Sequence, residues 1–228
     1  MSLILNIETA TPICSVALGD SDTVLASRTL SDGKSHASHL TILIGELLKE
    51  CQKTLSDLNA VAVSKGPGSY TGLRIGVSTA KGLCYALDKP LISVNTLQSM
   101  ANSPFEELDP AMLLCPMLDA RRMEVYCAMY DLKLEEKLQV AAVIVDGDTF
   151  EDVLEKNNVL FFGDGAEKCK SVFKNKESAH FNSEYQISAN TMASISNSKF
   201  QLGEFEDVAY FEPFYLKDFV AGPPKKMP

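Results

Sequence analysis

Basic residues are scarce in this chain: 21 lysines and arginines face 30 aspartates and glutamates over 228 residues, leaving a formal net charge of −9. A negative field gains nothing by releasing counterions from phosphates, so a stand-alone nucleic-acid binder is disfavoured unless the cations gather on one face. Cysteine is present but never as Cys-x-x-Cys. Cys14, Cys51, Cys84, Cys115, Cys127 and Cys169 are scattered, mostly in apolar runs such as Leu113–Leu118. That disfavours a zinc cluster and predicts reduced core thiols in a cytosolic protein. No run approaches the roughly 20 apolar residues of a membrane helix. The opening stretch, Met1–Ala10, has no basic segment and is interrupted by Asn6 and Glu8, so no signal peptide and a cytoplasmic location are expected. Several signatures of catalysis are missing too. No Gly-Lys-Ser/Thr follows the first glycine turn as in a Walker A loop, no His-Glu-x-x-His occurs, and there is no Gly-x-Ser-x-Gly elbow.

What is present is globular: 46% hydrophobic and 22% charged residues, ample for a core. The length suits one large domain or two small ones. Leu3–Ile7, Cys14–Leu18 and Thr23–Leu30, separated by Thr11-Pro12 and Gly19-Asp20, read as an antiparallel meander. A helix follows, with Ser35 as its N-cap and Leu40, Leu43, Ile44, Leu47, Leu48 and Cys51 on one stripe. Ala60–Val63 is a short buried strand ending in Gly66-Pro67-Gly68, and a second helix runs from about Thr71 to Leu87 before Asp88-Lys89-Pro90 stops it.

The second half repeats this plan. Strands are expected at Met112–Leu118, Met123–Tyr130 and Gln139–Val145, then a helix from about Thr149, the strand Val159–Phe162 and a glycine turn, Gly163-Asp164-Gly165. Glu8 falls on Asp119 at an offset of 111, while Gly66 and Gly68 fall on Gly163 and Gly165 at an offset of 97. The reading is an α/β protein of two βββαβα lobes, residues 1–103 and 104–228, each bringing an acidic turn and a glycine turn to a shared cleft. Lys174–Glu184 reads as a loop and Ala221–Pro228 as a frayed tail.

The chemistry concentrates in the block from Ser64 to Leu83. A glycine turn entering a helix points N–H groups at the positive end of the helix dipole, which suits phosphate. The plainer reading is a tight strand-to-helix turn. Glu8, Thr9, Gly66, Gly68 and Ser69, with Asp119 across the cleft, are the candidate phosphate and magnesium residues. His36 and His39 share a helix face, but nothing nearby completes a site, so they read as solvated histidines and no metal is expected. The second helix is apolar or small nearly all round: Leu73, Val77, Ala80 and Cys84 form one face, and Ile75, Thr79, Gly82 and Ala86 another. Such a helix is covered on more than one side, by its own chain or by another subunit.

Gly66-Pro-Gly-Ser-Tyr-Thr-Gly-Leu-Arg-Ile-Gly, with Ala80-Lys-Gly-Leu, Ile7-Glu-Thr-Ala-Thr, Cys14-Ser-Val-Ala-Leu and Leu118-Asp-Ala-Arg-Arg-Met-Glu-Val-Tyr, resembles the TsaB (YeaZ) family. The resemblance is dense over roughly the first 130 residues. It implies an actin-like ATPase, ribonuclease H-like fold. It also implies a non-catalytic, glycoprotease-like subunit that supports a TsaD-like catalytic subunit in making threonylcarbamoyladenosine beside the tRNA anticodon. A TsaE-like ATPase or a second copy would be further partners, with tRNA reached only through the complex. Partners would meet the first two helices at Leu40, Leu43, Leu47, Arg74, Val77, Ser78 and Lys81. The fold's first phosphate loop usually carries Asp where Glu8 stands, so no cofactor is required and ATP or ADP with magnesium would bind weakly. The rival is an ATP-dependent phosphotransferase or glycoprotease-like enzyme working in its own cleft.

Overall fold

A computed structural model describes residues 2–31, 36–106 and 108–217. The expected cap Ser35 and tail Ala221–Pro228 lie outside the described residues. The first sheet begins with the meander β1 (Leu3–Glu8), β2 (Cys14–Asp20) and β3 (Thr23–Leu30). Helix α1 (His36–Glu50) leads to β4 (Ala60–Gly66), and α2 (Tyr70–Leu87) leads to β5 (Leu91–Asn95). β4 pairs parallel with β1, and β5 with β4, so the sheet order is β3-β2-β1-β4-β5. Asp88 takes a left-handed conformation as the cap of α2, in line with the stop expected at Asp88-Lys89-Pro90.

After α3 (Thr96–Ala101) come β6 (Leu113–Asp119), β7 (Glu124–Tyr130), β8 (Glu136–Ile144), α4 (Glu151–Leu154), β9 (Val159–Phe162), α5 (Lys170–Phe173) and β10 (Ala179–Asn182). Their order is β8-β7-β6-β9-β10, the same meander-plus-parallel-pair pattern, with β6 in the place of β1. Two copies of that topology make the two-lobed duplication the repeat points to, and they have the actin-like, ribonuclease H-like fold that the resemblance implies. The sequence reading is corrected in three respects. Ala179–Asn182, inside the stretch read as loop, is a strand, because pairing with β9 supplies order that its own pattern does not. The helix expected from Thr149 amounts to a single turn, and β5 and α3 are additions to the expected plan.

Alternation along the strands builds both cores. Leu3, Leu5 and Ile7 join Val61 and Val63 under α1 and α2, whereas Ile4, Ala60 and Ala62 face the opposite side. That opposite side is covered by α6 (Ala193–Leu202) and the turn before it, which supply Ala189 and Met192. Ser196 donates to Asn6 Oδ1 at 2.7 Å, fixing the helix on β1. α3 in turn sends Leu97 and Met100 onto Leu114, Leu118 and Phe162 of the second sheet. Each half therefore lends a helix to the other. All six cysteines are free, and only Cys51 is not fully buried.

Candidate functional site

The cleft between the lobes has a volume of about 560 Å³. One wall is Ala10–Pro12 with Gly68–Thr71, the other is Leu118–Arg121 with Glu124, Tyr126 and Asp164, and Phe214–Lys217 close one end. The two glycine turns match in geometry as they do in sequence: Gly66 has φ +112° and Gly163 φ +101°, conformations that glycine adopts without strain. The glycine block then runs against the turn after β1. A Cβ on Gly68 would lie 2.5 Å from Ala10 O and 2.6 Å from Ala10 Cβ, and a Cβ on Gly72 or Gly76 would overlap Thr9. Ser69 N–H donates to Ala10 O at 2.6 Å. These glycines let the β1–β2 turn seat directly on α2.

Glu8 ends β1 but does not face the cleft. Its side chain is fully buried. Oε1 accepts from Ala10 N–H at 2.6 Å and from Ser64 Oγ at 2.9 Å, and Oε2 has no partner. Burial without a cation pushes its carboxyl up to about 7, against the smaller opposing pull of the Ala10 and Thr9 N–H groups and the Ser64 hydroxyl. Thr9 is equally buried, with its hydroxyl unpartnered. Of the expected phosphate residues, Gly68, Ser69 and Asp119 line the cleft, while Glu8, Thr9 and Gly66 do not. The reason is the closure of the first turn onto Gly68.

Asp119 stands where the repeat places it, opposite Ser69. Its N–H donates to Asp164 Oδ1 at 2.9 Å, and its carboxylate is paired with the Lys168 ammonium. Burial raises the Asp164 carboxyl above its ordinary value. A magnesium nucleotide needs free turn N–H groups and an ionised carboxylate open to the metal. Here the Ser69 N–H is spent on Ala10, Glu8 is walled in and Asp119 holds a lysine, so these residues do not fit that group.

His36 also departs from expectation. It is buried, with Nε2 2.8 Å from Thr11 O, a structural prop for the same turn rather than a solvated side chain. Among the described residues no three His, Cys, Asp or Glu side chains gather as a metal site.

The expected partner residues divide. Leu40, Leu43, Leu47 and Val77 are buried in the first core, consumed by the sheet beneath them, and so cannot form an outer surface. Arg74 and Ser78 are exposed. Lys81 is half-buried and donates to Ala209 O at 3.1 Å and Phe211 O at 2.9 Å, so it serves its own chain. What α1 and α2 present outward is a ridge that keeps Ser78 but otherwise runs through other residues: Thr41, Ile42, Gly45, Ile75, Thr79, Gly82 and Tyr85. Ile42 is 54% exposed and Tyr85 86%. A groove of about 330 Å³ runs between the helices beside Thr41, Ile75 and Thr79. A Cβ on Gly45 or Gly82 would meet nothing within 4 Å.

The sequence reading also missed the segment 204–217, which crosses α2 and enters the cleft. Its signal was the aromatic cluster Phe205, Tyr210, Phe211, Phe214 and Tyr215 beyond the last helix.

Comparison with known proteins bears on this arrangement. The family model for TsaD, tRNA N6-adenosine threonylcarbamoyltransferase, matches residues 23–224. The Bacillus subtilis tRNA threonylcarbamoyladenosine biosynthesis protein TsaB is 37% identical over 163 residues, 70% of each chain. The chain belongs to the TsaB family. The Escherichia coli TsaB is 39% identical over 127 residues, 56% of this chain and 54% of that protein, so the match spans about half the length of this relative. In three dimensions, YeaZ from Pseudomonas aeruginosa superposes with a TM-score of 0.77 at 27% identity, covering 95% of this chain and 100% of that one. Among the described residues of this TsaB-family chain, no helix is long and apolar enough to cross a membrane.

Proposed function

We propose that this chain is a non-catalytic subunit in the formation of tRNA threonylcarbamoyladenosine, and that it binds and supports a TsaD-like catalytic subunit. The observation that carries the reading is the closed first turn. In a family whose members are named for this modification, the position where the fold would place a metal-facing carboxylate is taken by Glu8, which is buried and bonded inward. A cleft so arranged is scaffold. The working surface is then the outer ridge of α1 and α2. Mid-helix glycine costs about 1 kcal/mol against alanine, and neither Gly45 nor Gly82 repays this within its own chain, whereas both suit the close approach of another helix. Exposed Ile42 and half-buried Ile75 supply apolar contact, and Arg74 lies at the rim to meet an acidic group.

On this reading the chain needs no cofactor of its own and works in the cytoplasm. A TsaE-like ATPase joins the same assembly, and tRNA, repelled by a charge of −9, is reached through the partner. The test is reconstitution. Unmodified tRNA, threonylcarbamoyl donor and ATP are incubated with the chain alone, with the TsaD-like and TsaE-like subunits alone, and with all three. Product is expected only from the full set. Product from the single chain, or casein cleavage or ATP turnover by it, would favour an enzyme working in its own cleft.

A further inference from the structure

The segment that follows α6 touches both lobes and the cleft between them. Glu206 N–H donates to Leu91 O at 2.9 Å on the edge of β5, and Ser93 Oγ donates to the Glu206 carboxylate. Val208 and Phe211 pack against the first core. Lys81 reaches from α2 to the carbonyls of Ala209 and Phe211, drawing the segment along the helix. Phe214 N–H then donates to Lys65 O at 2.7 Å, and the Phe214 carbonyl lies so close to Gly66 that a Cβ there would come within 2.6 Å of it. The Tyr215 ring lies 4.9 Å from that of Tyr70, centroid to centroid. Lys217 finally pairs with Glu124, on β7 of the second lobe.

We infer that residues 204–217 are a clasp that holds the two lobes at one fixed angle across the cleft, with Lys81 as its pin. A ligand bound between two lobes ties them together by contacting both. A magnesium nucleotide does not fit this cleft, and the chain's own segment makes the bridging contacts instead, from Lys65 and Tyr70 on one side to Glu124 on the other. Each polar contact is weak by itself at a surface. Strung along one short segment and anchored by half-buried Phe211, they act together, because freeing one lowers the cost of freeing the next. The clasp also borders the ridge: Arg74, Ser78 and Tyr215 line a groove of about 380 Å³ between α2 and the segment. The inference concerns the lobes and holds whichever partner the ridge receives.

The test is hydrogen exchange read by mass spectrometry on the full chain, together with its radius of gyration from X-ray scattering. Lys81→Met removes the pin, and Lys217→Glu sets two carboxylates against each other at the lobe crossing. In both, amides of 209–217 are expected to exchange about tenfold faster, the cleft walls 68–71 and 119–124 to lose protection with them, and the radius to increase. Protection of β1 and α1 should hold, which separates release of the clasp from unfolding. If Lys81→Met reduces the folded fraction, Tyr215→Ser replaces it, since Tyr215 is only half-buried and stands outside both hydrophobic cores, with its ring against Tyr70 at the start of α2. A segment that exchanges faster while both cleft walls and the radius stay unchanged would overturn the inference, as would unchanged exchange throughout.

Discussion

Replacing Glu8 with glutamine should change how stability depends on pH. The carboxyl is fully buried with no cation beside it, and burial lifts it from the ordinary 4.5 to about 7. The folded chain therefore holds this proton more tightly than the unfolded chain does. Its contribution to stability is fully present below pH 4.5 and is lost as pH rises through about 7. At 1.36 kcal/mol per pH unit, the difference between the two values is worth about 3 kcal/mol. Most of that, about 2 to 3 kcal/mol, is lost between about pH 5 and pH 8. The amide of the Glu8→Gln variant cannot titrate. Its carbonyl can still accept from Ala10 N–H and Ser64 Oγ, and its NH2 group falls where Oε2 has no partner. The unpaired NH2 costs about the same at every pH, so the informative quantity is the slope, not the offset. Urea unfolding of both proteins at several pH values is the assay. With a slope of about 2 to 3 kcal/mol per molar urea for a chain of this size, the gap between the two midpoints should shift by about 1 M across the range, in favour of the Glu8→Gln variant at high pH. Contributions from other groups cancel in the comparison. Parallel curves from about pH 5 to 8 would refute the reasoning.

Val77→Glu places a charge in the first core and should cost about 4 kcal/mol or more, so circular dichroism is expected to show loss of cooperative melting rather than a folded chain that fails to bind. Gly82→Ala, at an open helical position, should raise stability by about 0.5–1 kcal/mol, measured by urea unfolding. Gly82→Arg should keep the fold and abolish co-elution with the catalytic subunit on size exclusion, whereas Arg74→Glu should weaken the complex in a salt-dependent way. Gly68→Val drives a side chain into Ala10 and should lower stability by about 1–3 kcal/mol, read as a fall in melting temperature.

The periodic parts of this fold were legible because burial on both faces of a sheet and on one face of a helix leaves a pattern in the residues themselves. The strand expected at Leu3–Ile7 and the stripe Leu40 to Leu48 are where the pattern puts them, and the offsets 111 and 97 join structurally equivalent positions, β1 to β6 and Gly66 to Gly163. Orientation is harder. A helix apolar nearly all round does not reveal which face goes inward, so the expected partner set takes in Val77, on the core-facing side of α2, and leaves out Thr79 and Gly82. Glu8 misleads for a related reason: a carboxylate at a strand end looks solvated until the neighbouring turn is seen to close over it. His36 is held by a carbonyl 25 residues away in sequence, a contact that local pattern cannot express. The segment 204–217 has no period at all, because its order comes from the α2 and β5 surfaces it crosses.

The most direct test of the partner-subunit reading is size-exclusion chromatography of this chain with the TsaD-like catalytic subunit, run with the unaltered protein and with Gly82→Arg, each fraction being assayed for threonylcarbamoylation of unmodified tRNA after addition of the TsaE-like ATPase. The account expects one co-eluting complex that modifies tRNA, and for Gly82→Arg two separate peaks, neither active alone and with a normally folded variant chain. Full tRNA modification by the catalytic subunit without this chain, or an intact and active complex with Gly82→Arg, would contradict it.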